Sequence, residues 1–322
     1  MTLRLQRRRF RFALLQPLRT AAGELRERGG WLLRLEDDQG AVGWGEVAPL
    51  ERQLGLSCEV ALASLSNVVS KAQLEALLQD APGAGGFGLG AALAELQGLV
   101  GAASPQGWLK APAPALLLPA GEAMLGALEA AAASMGDLEG RTFKWKVATE
   151  PDLLERQLLE QLLQRLPPTA RLRLDANGGW DRSLAQAWMQ RLRDDPRLAW
   201  LEQPLAVEDQ VGLEQLAVLG PVALDESLHQ HPELRRSWSG WQGRRPALEG
   251  DPRVLLRELQ GGVPLRMLST AFETGIGRRW LEHLAGLQAQ GPTPAAPGLA
   301  PGWTPSGALF CTDPEQVWAA AG

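Results

Sequence analysis

"TFKWKVATEPDLLERQLLEQLLQRLPPTARLRLDA", residues 142–176, is the stretch whose reading decides the fold. Its two ends alternate in polarity, as strands with a side-chain period of two do, and its middle carries leucines at helical spacing. Strand, helix and strand over so short a span make a βαβ unit with parallel strands. The alternation continues on both sides. Strand "PALLLPA" (114–120) and helix "EAMLGALEAAAASM" (122–135) come before it. Helix "RSLAQAWMQRLRD" (182–194), strand "LAWLEQP" (198–204), helix "EDQVGLEQLAVL" (208–219) and strand "VALDES" (222–227) follow. Residues 228–250 show no clear period. Strand "PLRMLSTA" (264–271) and helix "GRRWLEHLAGLQAQ" (277–290) come later, and "PGLAPG" (297–302) is placed to close the series. About seven or eight units of this kind favour a (β/α) barrel. A doubly wound open sheet is the alternative, but no strand-linked glycine fingerprint supports a dinucleotide site.

The N-terminal third reads differently. Residues 1–50 predict strands, with "DDQG" as a hairpin turn. Residues 57–78 predict one helix with Ser57 as N-cap, "DAPGAGGFGLG" (80–90) a glycine-rich break, and 91–103 a second helix. The expectation is therefore an α/β protein: a modified (β/α) barrel over residues 106–299, with an α+β domain over 1–105 completed by about 300–322.

Composition narrows the function. The chain has 322 residues, 45% of them hydrophobic, enough for a full-sized core. A net charge of −5 argues against a nucleic-acid partner. Arg7, Arg8 and Arg9 read instead as solvated charges on an edge strand. No apolar run reaches the length of a membrane span, and no signal-peptide core is present, so a soluble, cytoplasmic protein is expected. Cys58 and Cys311 are too few for a disulfide framework or zinc site and default to packing. Nothing indicates an oligomer.

Three consecutive strands end on a carboxylate: "RLDAN" on Asp175, "WLEQP" on Glu202 and "ALDES" on Asp225. In a barrel that end carries the active site. Each alone reads as a cap or loop residue. Together they would repel one another unless a cation lay between them, and hard oxygen ligands suit Mg²⁺, with Mn²⁺ as an alternative. Arg173, two residues before Asp175, shares its face and pairs either with a site carboxylate or ligand, or in a structural ion pair. Asn177 is a turn former before Gly178 or a ligand-contacting amide. Glu226 reads as a supporting residue rather than a ligand. Lysine is scarce: Lys71, Lys110, Lys144 and Lys146 are all there are, and the last two share one strand face.

"FKWKV", "LDANGGW", "WLEQPL" and "ALDES", in this order, resemble the enolase superfamily, in particular its muconate lactonizing branch. "GWGEVAPL" (43–50), "RRPALEGDP" (244–252) and "STAFETGIG" (269–277) further resemble the o-succinylbenzoate synthase family, and the resemblance spans nearly the whole chain. It implies a capping domain over a modified barrel and Mg²⁺ held by Asp175, Glu202 and Asp225. It implies removal of a proton next to a carboxylate, a metal-stabilised enediolate, and loss of water to form an aromatic ring. The implied substrate is 2-succinyl-6-hydroxy-2,4-cyclohexadiene-1-carboxylate, in menaquinone or phylloquinone biosynthesis. Lys146 would be the base and Lys144 the cation beside it, since nearby positive charge favours the neutral form of an amine.

One position departs from the family. Where the sixth strand ordinarily offers another lysine before a proline, this chain has Arg245, with Arg244 facing the other way. Arginine keeps its proton and is a poor base, so Arg245 would act as a cation facing the ring. A racemase or epimerase needs a base on each face; a syn elimination needs one. A cycloisomerase or dipeptide epimerase of the same branch and a non-catalytic barrel are the competing readings. Ser269 and Thr270, at a strand end, read as holders of a substrate carboxylate or as a plain turn. "PLRTAAG" (17–23) matches the family's capping loop, with Arg19 as a ligand contact. His229 and His231 read as solvated, and His283 as ordinary.

Overall fold

The computed structural model describes residues 2–20, 23–81 and 83–322, the side chains of 18–20 and 80 excepted. By internal contacts the chain divides into two compact units. The first comprises Met1–Pro112, Arg244–Pro264 and Leu268–Gly322; the second comprises Ala113–Gly243 and Leu265–Met267.

The first unit begins with strands β1 (Thr2–Thr20), β2 (Gly23–Glu36) and β3 (Val42–Val47). Helix α1 (Arg52–Ser64), strand β4 (Val68–Ser70) and helices α2 (Lys71–Asp80) and α3 (Gly83–Leu96) follow. The four strands form one sheet in the order β3-β2-β1-β4. Strand β4 meets only Thr2–Arg4 of β1, so the arginines further along β1 lie on an open edge. There Arg9 and Arg11 pair with Glu59 and Glu27 while staying largely exposed.

Two expectations fail here. The predicted helix over 57–78 is two helices. Ser57 is not a cap but lies inside α1, whose N-cap position is Glu51. The stretch Ser64-Leu65-Ser66-Asn67 ends α1, the β-branched pair Val68 and Val69 goes to the sheet, and Ser70 caps α2 in a reciprocal box with Gln73. Residues 83–90 of the glycine-rich "break" are the first half of α3. Its glycines permit helix-to-strand packing at backbone distance: a Cβ on Gly88 would come within 2.9 Å of the Glu46 carbonyl and collide with the Val47 side chain.

The second unit is built on βα repeats. Strand β5 (Leu116–Leu118) leads to helix α4 (Ala123–Met135), β6 (Thr142–Lys146) to α5 (Asp152–Arg165), and β7 (Arg171–Asp175) to α6 (Arg182–Leu192). Strand β8 (Leu198–Glu202) leads to α7 (Gln210–Leu219), and β9 (Val222–Leu224) to the short helices α8 (Glu226–Gln230) and α9 (Leu234–Ser237). Strand β10 (Trp241–Arg244) lies in the stretch that showed no period, and after α10 (Pro252–Gln260) comes β11 (Arg266–Leu268). Helices α11 (Gly275–Ala289) and α12 (Pro314–Ala320) belong to the first unit.

The sheet runs β11-β10-β9-β8-β7-β6-β5, each strand beside its sequence neighbours. That order is a singly wound barrel wall; a doubly wound sheet would reverse direction part-way. "PGLAPG" adds no strand, only a single bridge between Ser269 and Gly298. Within the unit, Phe143 and Trp145 of β6 are fully buried among α5 leucines such as Leu158, Leu159 and Leu162. Each such leucine contributes about 2 kcal/mol of transfer free energy. Because these residues fix one face of β6, Lys144 and Lys146 are turned to the other.

Candidate active site

Register aligns the candidate side chains. Lys144 lies opposite Arg173, and Arg173 opposite Trp200; one step along, Lys146 lies opposite Asp175, and Asp175 opposite Glu202. Glu202 pairs with Ala223, which puts Asp225 just past the end of β9, at the N-cap position of α8. The second row thus carries Lys146 and two carboxylates at the strand ends, with Asp225 beside them.

The Lys144 ammonium stands between two of these carboxylates, 2.8 Å from Asp175 Oδ2 and 2.6 Å from Glu202 Oε1. Burial opposes its charge, but the fields of Asp175, Glu202 and Asp225 outweigh burial and raise it above an ordinary lysine. Glu202 is displaced upward, first by burial and then by repulsion from Asp175 and Asp225, with Lys144 working against both. Asp175 and Asp225 therefore both act on Glu202, and all three carboxylates act on a single cation.

Lys146 Nζ donates to Asn177 Oδ1 at 2.7 Å, and Asn177 Nδ2 donates to Glu226 Oε1 at 2.8 Å. Asn177 also adopts a left-handed φ of 44°. The expected turn is there, and the side-chain amide faces Lys146 and Glu226. Arg173 is buried, with its guanidinium carbon 4.1 Å from the Trp200 ring centre. Burial pulls it down to about 10, and Glu202 works the other way. Trp200 in turn donates from Nε1 to Glu202 Oε2 at 3.1 Å, so both oxygens of that carboxylate are engaged.

Three residues that hold the site were not singled out in the sequence. Gln203 is fully buried; its Oε1 accepts from the backbone N–H of Asp225 (3.2 Å) and Ser227 (3.0 Å), and its Nε2 donates to Ser227 Oγ at 2.8 Å. It ties the end of β8 to the loop bearing Asp225. Glu155, on α5, accepts from the N–H groups of Ala148, Thr149 and Glu150 and so fixes the loop after Lys146. Trp200 is the third. A glutamate within the leucine repeat of α5 was the one signal available for Glu155; Gln203 and Trp200 offered none.

Of the remaining candidates, all but His229 and His231 lie in the first unit. Arg245 donates from its backbone N–H to Glu249 and from its guanidinium to the Thr270 carbonyl at 3.0 Å. Arg244 is buried against Glu249 and Glu258. The Thr270 hydroxyl is engaged within its own turn, donating to Glu273 and accepting from Phe272 N–H; Ser269 donates to the Gly298 carbonyl at 3.5 Å. The Arg19 backbone pairs with Glu24, but its side chain lies outside the described residues. His229 is exposed on α8. His283 is buried, accepts from Leu109 N–H, and is pushed down to about 4 by burial.

Residues 126–239 match the enolase C-terminal domain-like family. The o-succinylbenzoate synthase of Thermosynechococcus vestitus is 37% identical over 297 residues, 88% of each chain. The chain belongs to the o-succinylbenzoate synthase family. These are enzymes of the carbon–oxygen lyase class within the enolase superfamily. A crystal structure of o-succinylbenzoate synthase from Thermosynechococcus elongatus BP-1, complexed with Mg in the active site, aligns with a TM-score of 0.81 and 31% identity, covering 98% of this chain and 99% of that one. The L-Ala-D/L-Glu epimerase of Bacillus subtilis shares the fold at a TM-score of 0.67 and 21% identity, over 90% of this chain and 88% of that one. No helix among the described residues is long and apolar enough to cross a membrane.

Proposed function

We propose that the protein is an Mg²⁺-dependent o-succinylbenzoate synthase. It would convert 2-succinyl-6-hydroxy-2,4-cyclohexadiene-1-carboxylate to 2-succinylbenzoate and water, in menaquinone or phylloquinone biosynthesis. The observation that carries the reading is the alignment of Lys146 with Asp175 and Glu202 across three neighbouring strand ends.

The donor set fits the metal. Among the described residues no three His, Cys, Asp or Glu side chains are grouped closely enough to hold a metal ion as they stand. Yet Asp175 and Glu202 hold the Lys144 ammonium between them, and Asp225 adds its charge to the same place. Such a cluster suits a hard divalent cation, and these three residues would hold it. Bound there, Mg²⁺ supplies positive charge to offset the negative charge that develops on the substrate carboxylate.

Lys146 removes the proton from the carbon bearing the carboxylate, and the electron pair passes into that carboxylate. As an ammonium, Lys146 then returns the proton to the departing hydroxyl on the same face, and the ring becomes aromatic. Lys144 keeps positive charge next to the base, and Arg173, stacked on Trp200, adds a second cation to the same wall. Ser269, Thr270 and Arg19 are assigned to substrate contact, and Arg245 to a cation facing the ring.

A coupled assay with the cyclohexadiene carboxylate tests the reading by following the aromatic product. Lys146→Ala should lower turnover at least about 100-fold, the usual contribution of a positioned base. Absence of product from the wild-type protein would overturn it.

A further inference from the structure

We propose that Asn177 is a positioning residue for Lys146, and that Glu226 sets which way round the Asn177 amide stands. The inference rests on Lys146 being the base.

An amide can turn over and exchange its oxygen for its nitrogen at little cost unless a neighbour tells them apart. Glu226 does so. An ionised carboxylate only accepts, so the group facing Glu226 Oε1 at 2.8 Å has to be Nδ2, which leaves Oδ1 facing Lys146. Lys146 then donates one N–H at 2.7 Å. A neutral amine has two N–H groups and one lone pair. Fixing one N–H restricts rotation about the Cε–Nζ bond and confines the lone pair to a few directions. Once the amine takes up a proton, the same oxygen keeps hold of the ammonium.

The backbone supports this assignment. Asn177 and Gly178 are both left-handed, at φ 44° and 76°. The turn is held by Asn177 N–H donating to Asp175 Oδ1 (3.2 Å) and Gly178 N–H donating to the Gln203 carbonyl (2.7 Å). A glycine would adopt this conformation more readily than asparagine. The turn alone therefore does not account for the side chain, whereas the bonds to Lys146 and Glu226 do.

The conformational preference also supplies a clean variant. Asn177→Gly keeps the turn and removes only the amide. In the dehydration assay it should lower kcat by about ten-fold or more with KM within about two-fold, the signature of a misplaced reacting group. Glu226→Ala should follow it, and Glu226→Gln, which keeps an acceptor oxygen, should lose less than Glu226→Ala. A second arm needs no turnover: limiting acetic anhydride on the free protein, with acetylation mapped by mass spectrometry. The chain has four lysines, so Lys71 and Lys110 serve as internal references for Lys146. Lys146 should acetylate several-fold faster in Asn177→Gly and in Glu226→Ala than in the wild type. A wild-type kcat in Asn177→Gly, or unchanged Lys146 labelling in both variants, would overturn the proposal. If the wild-type protein gives no product, the functional reading fails, and the labelling arm then decides the positioning claim by itself.

Discussion

Lys144 and Lys146 differ by one strand step and have opposite surroundings. Lys144 faces two carboxylates and is held charged, while Lys146 faces an amide. That difference is the reason Lys146, and not Lys144, is proposed as the base. The pairing of Lys144 with Asp175 and Glu202 also shows how strongly the trio attracts a cation. Asp225→Asn removes a charge from the trio while leaving the fold intact. If the trio holds Mg²⁺, millimolar Mg²⁺ should raise the melting temperature of the wild type by several degrees and that of the variant by much less; the check is thermal unfolding with and without the metal. Equal shifts in both proteins would remove Asp225 from the metal site.

At the scale of elements, two close approaches in the first unit carry testable consequences. Helix α3 lies against β3 with backbone in contact, so Gly88→Ala should destabilise the protein by about 2 kcal/mol, a cost of overpacking that outweighs alanine's better helix propensity; urea unfolding measures it. Glu46, on β3, is buried and accepts from Thr274 N–H and Gly277 N–H, both at 3.0 Å, at the start of α11. Burial, with Glu273 adding to it, pushes Glu46 up to about 7 against an ordinary 4.5, although the Thr274 bonds and Arg28 oppose the rise. The folded state therefore binds this proton more tightly than the unfolded chain. Its contribution to stability is intact below pH 4.5 and is lost as pH rises through 7, by about 3 kcal/mol if the whole shift is expressed. In Glu46→Gln the stability curve between pH 5 and 8 should be flatter than in the wild type by that order. Parallel curves from chemical denaturation would refute the assignment.

At the scale of the whole molecule, what the chain lacks matters as much as what it contains. No lysine occurs after Lys146, so the chain carries no second amine base on any later strand. Inversion at carbon needs bases on both faces; a same-face elimination needs one. In D₂O, therefore, an N-succinylamino acid should incorporate deuterium from at most one enantiomer, as read by NMR. Exchange from both enantiomers would show a racemase. The epimerase of related fold shares the architecture but does not settle this point, because chemistry resides in the site and not in the barrel. The βα alternation, the strand-end carboxylates and the lysine pair were all legible in the sequence, since side-chain period and strand polarity are local properties of the chain. Local pattern misled where glycine was concerned: "GAGGFGLG" reads as a break, and only the close packing of helix α3 on its neighbours, such as β3 at Gly88 and Asp251 at Gly90, shows why glycines stand in a helix. It was silent on Gln203, Glu155 and Trp200, whose partners lie on other strands or loops. By itself the sequence determined which residues face the interior of the barrel wall and in what order the strand-end carboxylates come. Tertiary structure alone decided that Lys144 meets the carboxylates while Lys146 meets Asn177, because that choice depends on register between strands, and register is set by the packing of Phe143 and Trp145 on the opposite face.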